Sequence, residues 1–120
     1  MLGLRTAIYP VKDLSEGKAW YTKMFGVLPY FDQPFYVGFS VAGFELGLVP
    51  DGRPGNLGVT AYWGVEDIDR ELERLLSLGA RPHEGVQDVG GGIRSASVLD
   101  PFGNVIGIIQ NPHFDPAAVR

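Results

Sequence analysis

The sequence has no cysteine and only two histidines in 120 residues. That removes disulfide staples, thiolate metal sites and cysteine nucleophiles, and it fits a reducing compartment, so a cytoplasmic location is expected. Long apolar runs are also missing. No segment approaches the ~18 uninterrupted apolar residues of a membrane span, and Met1-Leu2-Gly3-Leu4-Arg5 has no basic stretch leading into an apolar one, so neither a membrane anchor nor export is expected. A basic surplus is absent too: Lys+Arg 10 against Asp+Glu 14 leaves a formal net charge of −4. Nothing in that balance attracts phosphate backbones or anionic lipid surfaces, so nucleic acid and membrane are excluded as expected partners. What is plentiful is apolar content, 45%, which supports a packed core, and glycine and proline, 17 and 9 residues, which imply many tight turns between short elements.

The chain is written as two similar halves. Thr6-Ala7-Ile8-Tyr9-Pro10-Val11-Lys12-Asp13-Leu14 returns as Thr60-Ala61-Tyr62-Trp63-Gly64-Val65-Glu66-Asp67-Ile68, with Thr, Ala, Val and Asp identical. Ala42-Gly43-Phe44-Glu45-Leu46-Gly47-Leu48-Val49 likewise resembles Phe102-Gly103-Asn104-Val105-Ile106-Gly107-Ile108-Ile109. Such an internal repeat constrains architecture more firmly than propensity does. One domain over residues 1–120 is expected, built from modules of about 1–54 and 55–114.

Each half predicts the same elements. Residues 3–9 and 57–63 are apolar, β-branched or aromatic and read as strands. Asp13 and Asp67 stand where helix N-caps belong. From Asp67, Ile68, Leu72, Leu75 and Leu76 mark one face of a helix that ends at Gly79. The matching helix, 14–25, offers Trp20, Tyr21, Met24 and Phe25 to the core and ends at Gly26. Strands follow near 27–32, 35–41 and 44–49, and near 80–86, 93–99 and 104–110. Asp100-Pro101-Phe102-Gly103 has the residue order of a type I turn. The fold class is α+β, with two βαβββ modules.

Val11-Lys12-Asp13-Leu14 followed by Trp20-Tyr21 and Phe25-Gly26, then Val65-Glu66-Asp67-Ile68, Leu78-Gly79-Ala80, Gly91-Gly92-Ile93-Arg94 and Asp100-Pro101-Phe102-Gly103-Asn104, resemble the glyoxalase/bleomycin-resistance/extradiol-dioxygenase family, the vicinal oxygen chelate superfamily. The resemblance runs over about residues 3 to 112. It implies a curved mixed sheet or half-barrel with a binding cleft formed by both modules, and pairing into homodimers. It also implies a divalent metal held by side chains at four positions, which here are Thr6, Gly47, Thr60 and Gly107. Glycine supplies no donor and a lone threonine hydroxyl is a poor neutral ligand, so no metal site and no cofactor are expected.

Strand alternation then sorts the site. If Thr6 and Thr60 face the cleft, Ile8 and Tyr62 do so as well, while Tyr9, Val11, Trp63 and Val65 pack beneath the helices. Glu45 shares a face with Gly47, against the alternative of a carboxylate directed at solvent. The candidate ligand-binding set is Thr6, Ile8, Glu45, Gly47, Thr60, Tyr62, Arg94 and Gly107, with Tyr30, Phe31, Phe35, Tyr36 and Phe102 as aromatic neighbours that either stack on a flat ligand or fill barrel ends and a subunit contact. His83 and His113 read as surface residues. Gly90-Gly91-Gly92 lacks a following Lys-Ser/Thr and precedes a strand, so it reads as a loop rather than a phosphate cradle. A Ser-His pair from Ser95 or Ser97 with His83 or His113 is allowed by composition but carried by no motif. Two functions follow as expectations: a metal-free protein of the bleomycin-resistance type that sequesters an aromatic or cationic small organic compound, or a lyase or isomerase of the glyoxalase or dioxygenase kind with a displaced metal site. No catalytic residue is assigned, and whether the chain is an enzyme stays open.

Overall fold

The computed structural model describes residues 6–55 and 60–113. They divide into two units, one within residues 1–54 and one within 55–119. Both have the same order of elements, one strand, one helix and three strands, so the α+β reading of two βαβββ modules holds. The strand expectations at 3–5 and 57–59 lie outside the described residues.

In the first unit, β1 (Thr6–Pro10) leads into α1 (Leu14–Phe25), followed by β2 (Phe31–Gln33), β3 (Tyr36–Val41) and β4 (Phe44–Val49). The four strands form one open mixed sheet in the order β1-β4-β3-β2, with β1 parallel to β4 and the other pairs antiparallel. The carboxylate of Asp13 accepts from the Glu16 N–H at 2.9 Å, and Gly26, at φ 71°, closes the helix with its N–H on Thr22 O. Helix and sheet approach closely at Gly17, where an added Cβ would stand 2.9 Å from Val11 Cγ2. Tyr9, Val11, Tyr21, Met24, Val37, Phe39, Leu46 and Leu48 form the buried core. Tyr21 is its hub, with Trp20, Phe25 and Tyr9 rings 4.9, 5.7 and 5.9 Å away. Each fully buried side chain of this size contributes about 1.5–3 kcal/mol.

β2 is shorter than the predicted 27–32 strand. Pro29 has no N–H to give a ladder and Pro34 opens the next turn, so only Phe31–Gln33 pairs with β3. The β3–β4 hairpin turns on Ala42 and Gly43 alone, both at positive φ, 52° and 90°. That is the backbone of a type I′ turn, which matches the twist of the flanking strands.

In the second unit, β5 (Ala61–Gly64) leads into α2 (Ile68–Ser77), then β6 (Arg81–Asp88), β7 (Arg94–Leu99) and β8 (Val105–Gln110). The sheet order is β5-β8-β7-β6, with β5 parallel to β8. Asp67 caps α2 by accepting from Arg70 N–H at 3.1 Å, and the helix ends in a Schellman motif at Gly79, with Ala80 N–H on Leu75 O and Gly79 N–H on Leu76 O. Ile68, Leu75, Ala80, Ala96, Val98, Ile106 and Ile108 are buried. Leu76, predicted on the core face, is 37% exposed, and Trp63 and Val65 are half-buried. Edge strand β6 carries two register shifts, between Pro82 and Glu84 and between Glu84 and Gln87. Asp100-Pro101-Phe102-Gly103 makes the predicted turn, with Gly103 N–H on Asp100 O at 3.1 Å. No described helix is long and apolar enough to cross a membrane.

Candidate functional site

In the first unit, alternation divides the sheet cleanly. Tyr9, Val37, Phe39, Leu46 and Leu48 are buried in the core with α1, so Thr6, Ile8, Tyr36, Gly38, Glu45 and Gly47 belong to the other face. The register sets Thr6 opposite Glu45, and Ile8, Gly47 and Gly38 side by side across three strands. Gly38 and Gly47 leave a floor without side chains, and two tyrosines lie on it. A Cβ built on Gly38 would stand 3.1 Å from Tyr36 Cε1 and 3.3 Å from Tyr30 Cε1, and one on Gly47 would stand 2.5 Å from Tyr36 Cζ.

Both phenols converge on Glu45. Tyr30 donates its hydroxyl to Oε1, Tyr36 donates to Oε2, and Thr6 Oγ1 donates to Oε2 at 3.4 Å. These contacts fix the protonation states. The hydroxyls of Tyr30 and Tyr36, with help from Thr6 and against a smaller effect of burial, hold the Glu45 carboxyl below its ordinary range. Its hydrogen bond to Glu45 raises the Tyr30 phenol, and burial, followed by the contact with Glu45, raises that of Tyr36. The result is an ionised carboxylate solvated by neutral phenols. None of the ion pairs among the described residues involves Glu45. Phe31 extends the aromatic surface, its ring 5.9 Å from Tyr36 and 6.2 Å from Phe35, each at 69°.

The second unit repeats the theme with other residues. Tyr62 pairs directly with Gly107 across β5 and β8, and its ring lies over that glycine, with Cδ1 2.5 Å from where a Cβ would stand. Ser97 is opposite Gly107 on β7 and is buried, and its hydroxyl is 2.8 Å from His83 Nδ1. Thr60, half-buried, immediately precedes β5.

Six of the expected site residues therefore group as Thr6, Ile8, Glu45 and Gly47 in the first unit and Tyr62 and Gly107 in the second. Arg94 departs from the cleft reading. It alternates with the buried Ala96 and Val98, and its guanidinium forks onto Asp69 of α2 at 2.9 and 3.1 Å. The fork raises the Arg94 pKa further, so this cation is engaged on the helix side of its sheet. His83 and His113 are exposed as expected, and His113 Nε2 lies 2.6 Å from Gly91 O. Ser97 does meet His83, but Ser97 is buried and no carboxylate among the described residues joins them, so the pair lacks the parts of a nucleophilic triad.

A chelated divalent metal does not fit these residues. Gly47 and Gly107 carry no donor, and the space a donor would need is filled by the Tyr36 and Tyr62 rings. The Thr6 hydroxyl is already committed to Glu45. Among the described residues no three His, Cys, Asp or Glu side chains come together in a way that could hold a metal ion.

The pairing of Glu45 with Tyr30 and Tyr36 was not expected from the sequence, where both tyrosines figured as surfaces to stack on a ligand or as filling of barrel ends and a subunit contact. Half of it had a signal: the two-residue Ala42-Gly43 turn sets Gly38 opposite Gly47, and Tyr36 shares their face. Tyr30 falls within the expected 27–32 strand, but the structure leaves it just before β2, so strand alternation does not assign its side chain to this face.

Comparison with known proteins points one way. The family model described as Glyoxalase/Bleomycin resistance protein/Dioxygenase superfamily matches residues 3–108. Curated protein sequences give no match. Among solved structures, the fosfomycin resistance protein FosX from Listeria monocytogenes, complexed with Mn(II) and sulfate, superposes with a TM-score of 0.78 at 20% identity, covering 94% of this chain and 93% of FosX. A glyoxalase-related enzyme from Fulvimarina pelagi gives 0.75 at 20% identity, covering 93% and 90%. TioX from Micromonospora sp. ML1 gives 0.69 at 18% identity, covering 90% and 98%.

Proposed function

The chain belongs to the glyoxalase/bleomycin resistance protein/dioxygenase superfamily, and from that premise we propose that it binds and sequesters a small aromatic or cationic organic compound, as bleomycin-resistance proteins do, without a chelated metal. One observation carries the reading: tyrosine rings fill the side-chain space at both glycines that stand where the superfamily's strand ligands belong. What remains around them in the first unit is an aromatic and aliphatic surface, with Ile8 56% and Tyr30 62% exposed, and one ionised carboxylate. An apolar face with few polar points suits an organic molecule. The exposed Phe31 of edge strand β2, with the exposed Leu28 and Phe35 on either side of it in sequence, supports a homodimer, for which sedimentation at micromolar concentration should give twice the 13.1 kDa chain mass.

Thermal unfolding against a panel of aromatic, glycopeptide and dicarbonyl compounds in the presence of EDTA tests the reading. A bound compound raises the midpoint with concentration, and the compound is recovered chemically unchanged. Binding that appears only after Mn(II) or Zn(II) is added, or conversion of the compound to product, overturns it.

A further inference from the structure

The two phenols on Glu45 are held very differently. The Tyr36 ring lies across Gly38 and Gly47, on strand β3, and packs against Phe31. Tyr30 precedes β2, next to Pro29; its backbone N–H is anchored on Gly38 O at 3.0 Å, while its ring meets the glycine floor near Cε1. Its side chain is largely exposed, so it can rotate into water at the cost of one hydrogen bond, whereas moving Tyr36 uncovers the floor. Among the described residues, Tyr30 is also the one hydroxyl on Oε1, while Tyr36 and Thr6 share Oε2.

Resting on the reading of this face as a ligand site, we propose that Tyr30 is a displaceable cap on Glu45, and that what displaces it is a flat organic cation with N–H donors: an amidinium, guanidinium or ammonium group carried on an aromatic ring. Phenols solvate the carboxylate and leave its charge in place. A cationic N–H placed on Oε1 makes a charge-assisted bond, about twice as strong as one between neutral groups. A neutral donor of the same shape gains nothing over the phenol it replaces. Tyr36, bonded to the other oxygen, and Phe31, 5.9 Å from the Tyr36 ring, extend an aromatic surface from this carboxylate, and a cation is attracted to the face of such rings. Freed, the Tyr30 hydroxyl finds water, so no buried donor is left unpaired.

Matched probes test this on the full chain. Benzamidine and benzamide, a planar cation and its neutral counterpart, are titrated into wild type, Tyr30→Phe and Glu45→Gln, with affinities read by NMR chemical shifts and the Tyr30 ring resonances followed directly. Benzamidine should bind wild type about tenfold more tightly than benzamide and shift the Tyr30 ring signals. Tyr30→Phe keeps the ring and removes the competing hydroxyl, so it should tighten benzamidine about threefold or more, with benzamide remaining the weaker ligand. Glu45→Gln should reduce benzamidine to the benzamide level. Equal affinity of the two probes for wild type, binding of neither, or weaker benzamidine binding in Tyr30→Phe overturns the cap. In those cases the sequestration reading still stands or falls on the EDTA-treated compound panel, so the two failures are separable.

Discussion

The ring of Tyr36 occupies the space that a side chain at Gly47 would need: a Cβ built on that glycine would stand 2.5 Å from the ring's Cζ carbon. The contact ties the tyrosine's orientation, and through its hydroxyl the environment of Glu45, to a residue with no side chain at all.

Gly47→Ala should therefore act through Tyr36. The added methyl pushes the ring off the floor and breaks its hydrogen bond to Glu45, for a loss of about 1–2 kcal/mol. In a Tyr36→Ala background the same substitution should be nearly neutral. Urea unfolding of the four proteins of this cycle gives the coupling, and additive losses would contradict the packing described.

Glu45 sets a pH dependence at both ends. Its carboxyl titrates below the ordinary value of 4.5, so its contribution to stability is complete above that pH and is lost as pH falls through the lowered folded value. Tyr30 and Tyr36 titrate above their ordinary value of 10.0, so their contribution is complete below pH 10 and fades as pH rises through the raised folded values. Glu45→Gln should flatten the acid limb and weaken the alkaline one. Stability measured by urea across pH 3–11 for both proteins checks the two limbs.

Asp100 is fully buried, and its carboxylate accepts from the backbone N–H groups of Phe102 and Asn104, each at 2.8 Å, and from Asn104 Nδ2 at 2.9 Å. Asn104 Oδ1 in turn accepts from Gly55 N–H at 3.1 Å. Asp100→Ala strands these donors in the turn between β7 and β8 and should cost about 2–4 kcal/mol. A fall in the urea midpoint with unchanged slope is the expected signature.

Ala42 pays for its left-handed conformation, φ 52°, where asparagine or glycine is the favoured residue of such a turn. Ala42→Asn should raise stability by about 0.5–1 kcal/mol, read as a higher thermal midpoint. A lower midpoint would mean that the hairpin needs the alanine methyl.

Much of the fold was legible because repeat, caps and alternation agree. Asp13, Gly26, Asp67 and Gly79 punctuate the helices where their chemistry places them, and β3, β4, β7 and β8 fall within a residue of expectation. β2 shrank because prolines on either side withhold ladder donors. At the site, alternation placed Thr6, Ile8, Glu45, Gly47, Tyr62 and Gly107. It also governs Arg94, which departs from the cleft because its parity is that of Ala96 and Val98, and because Asp69 on α2 holds it. What no pattern could supply was reach. Whether a tyrosine ring extends across a neighbouring strand depends on the emptiness of the positions it crosses, and Gly38 with Gly47 acquires that meaning only once the hairpin register joins them.

The two halves fill their glycine floors from different directions. Tyr36 reaches Gly47 diagonally from the antiparallel neighbour β3, whereas Tyr62 covers Gly107 from directly opposite on the parallel neighbour β5. Introducing a chelating side chain at either glycine is consequently not a single-step change, because the incoming imidazole or carboxylate meets a ring already in place. Each half would need its own paired replacement, on a different strand. An intermediate that adds the donor before removing the ring bears the steric penalty with none of the metal binding to offset it.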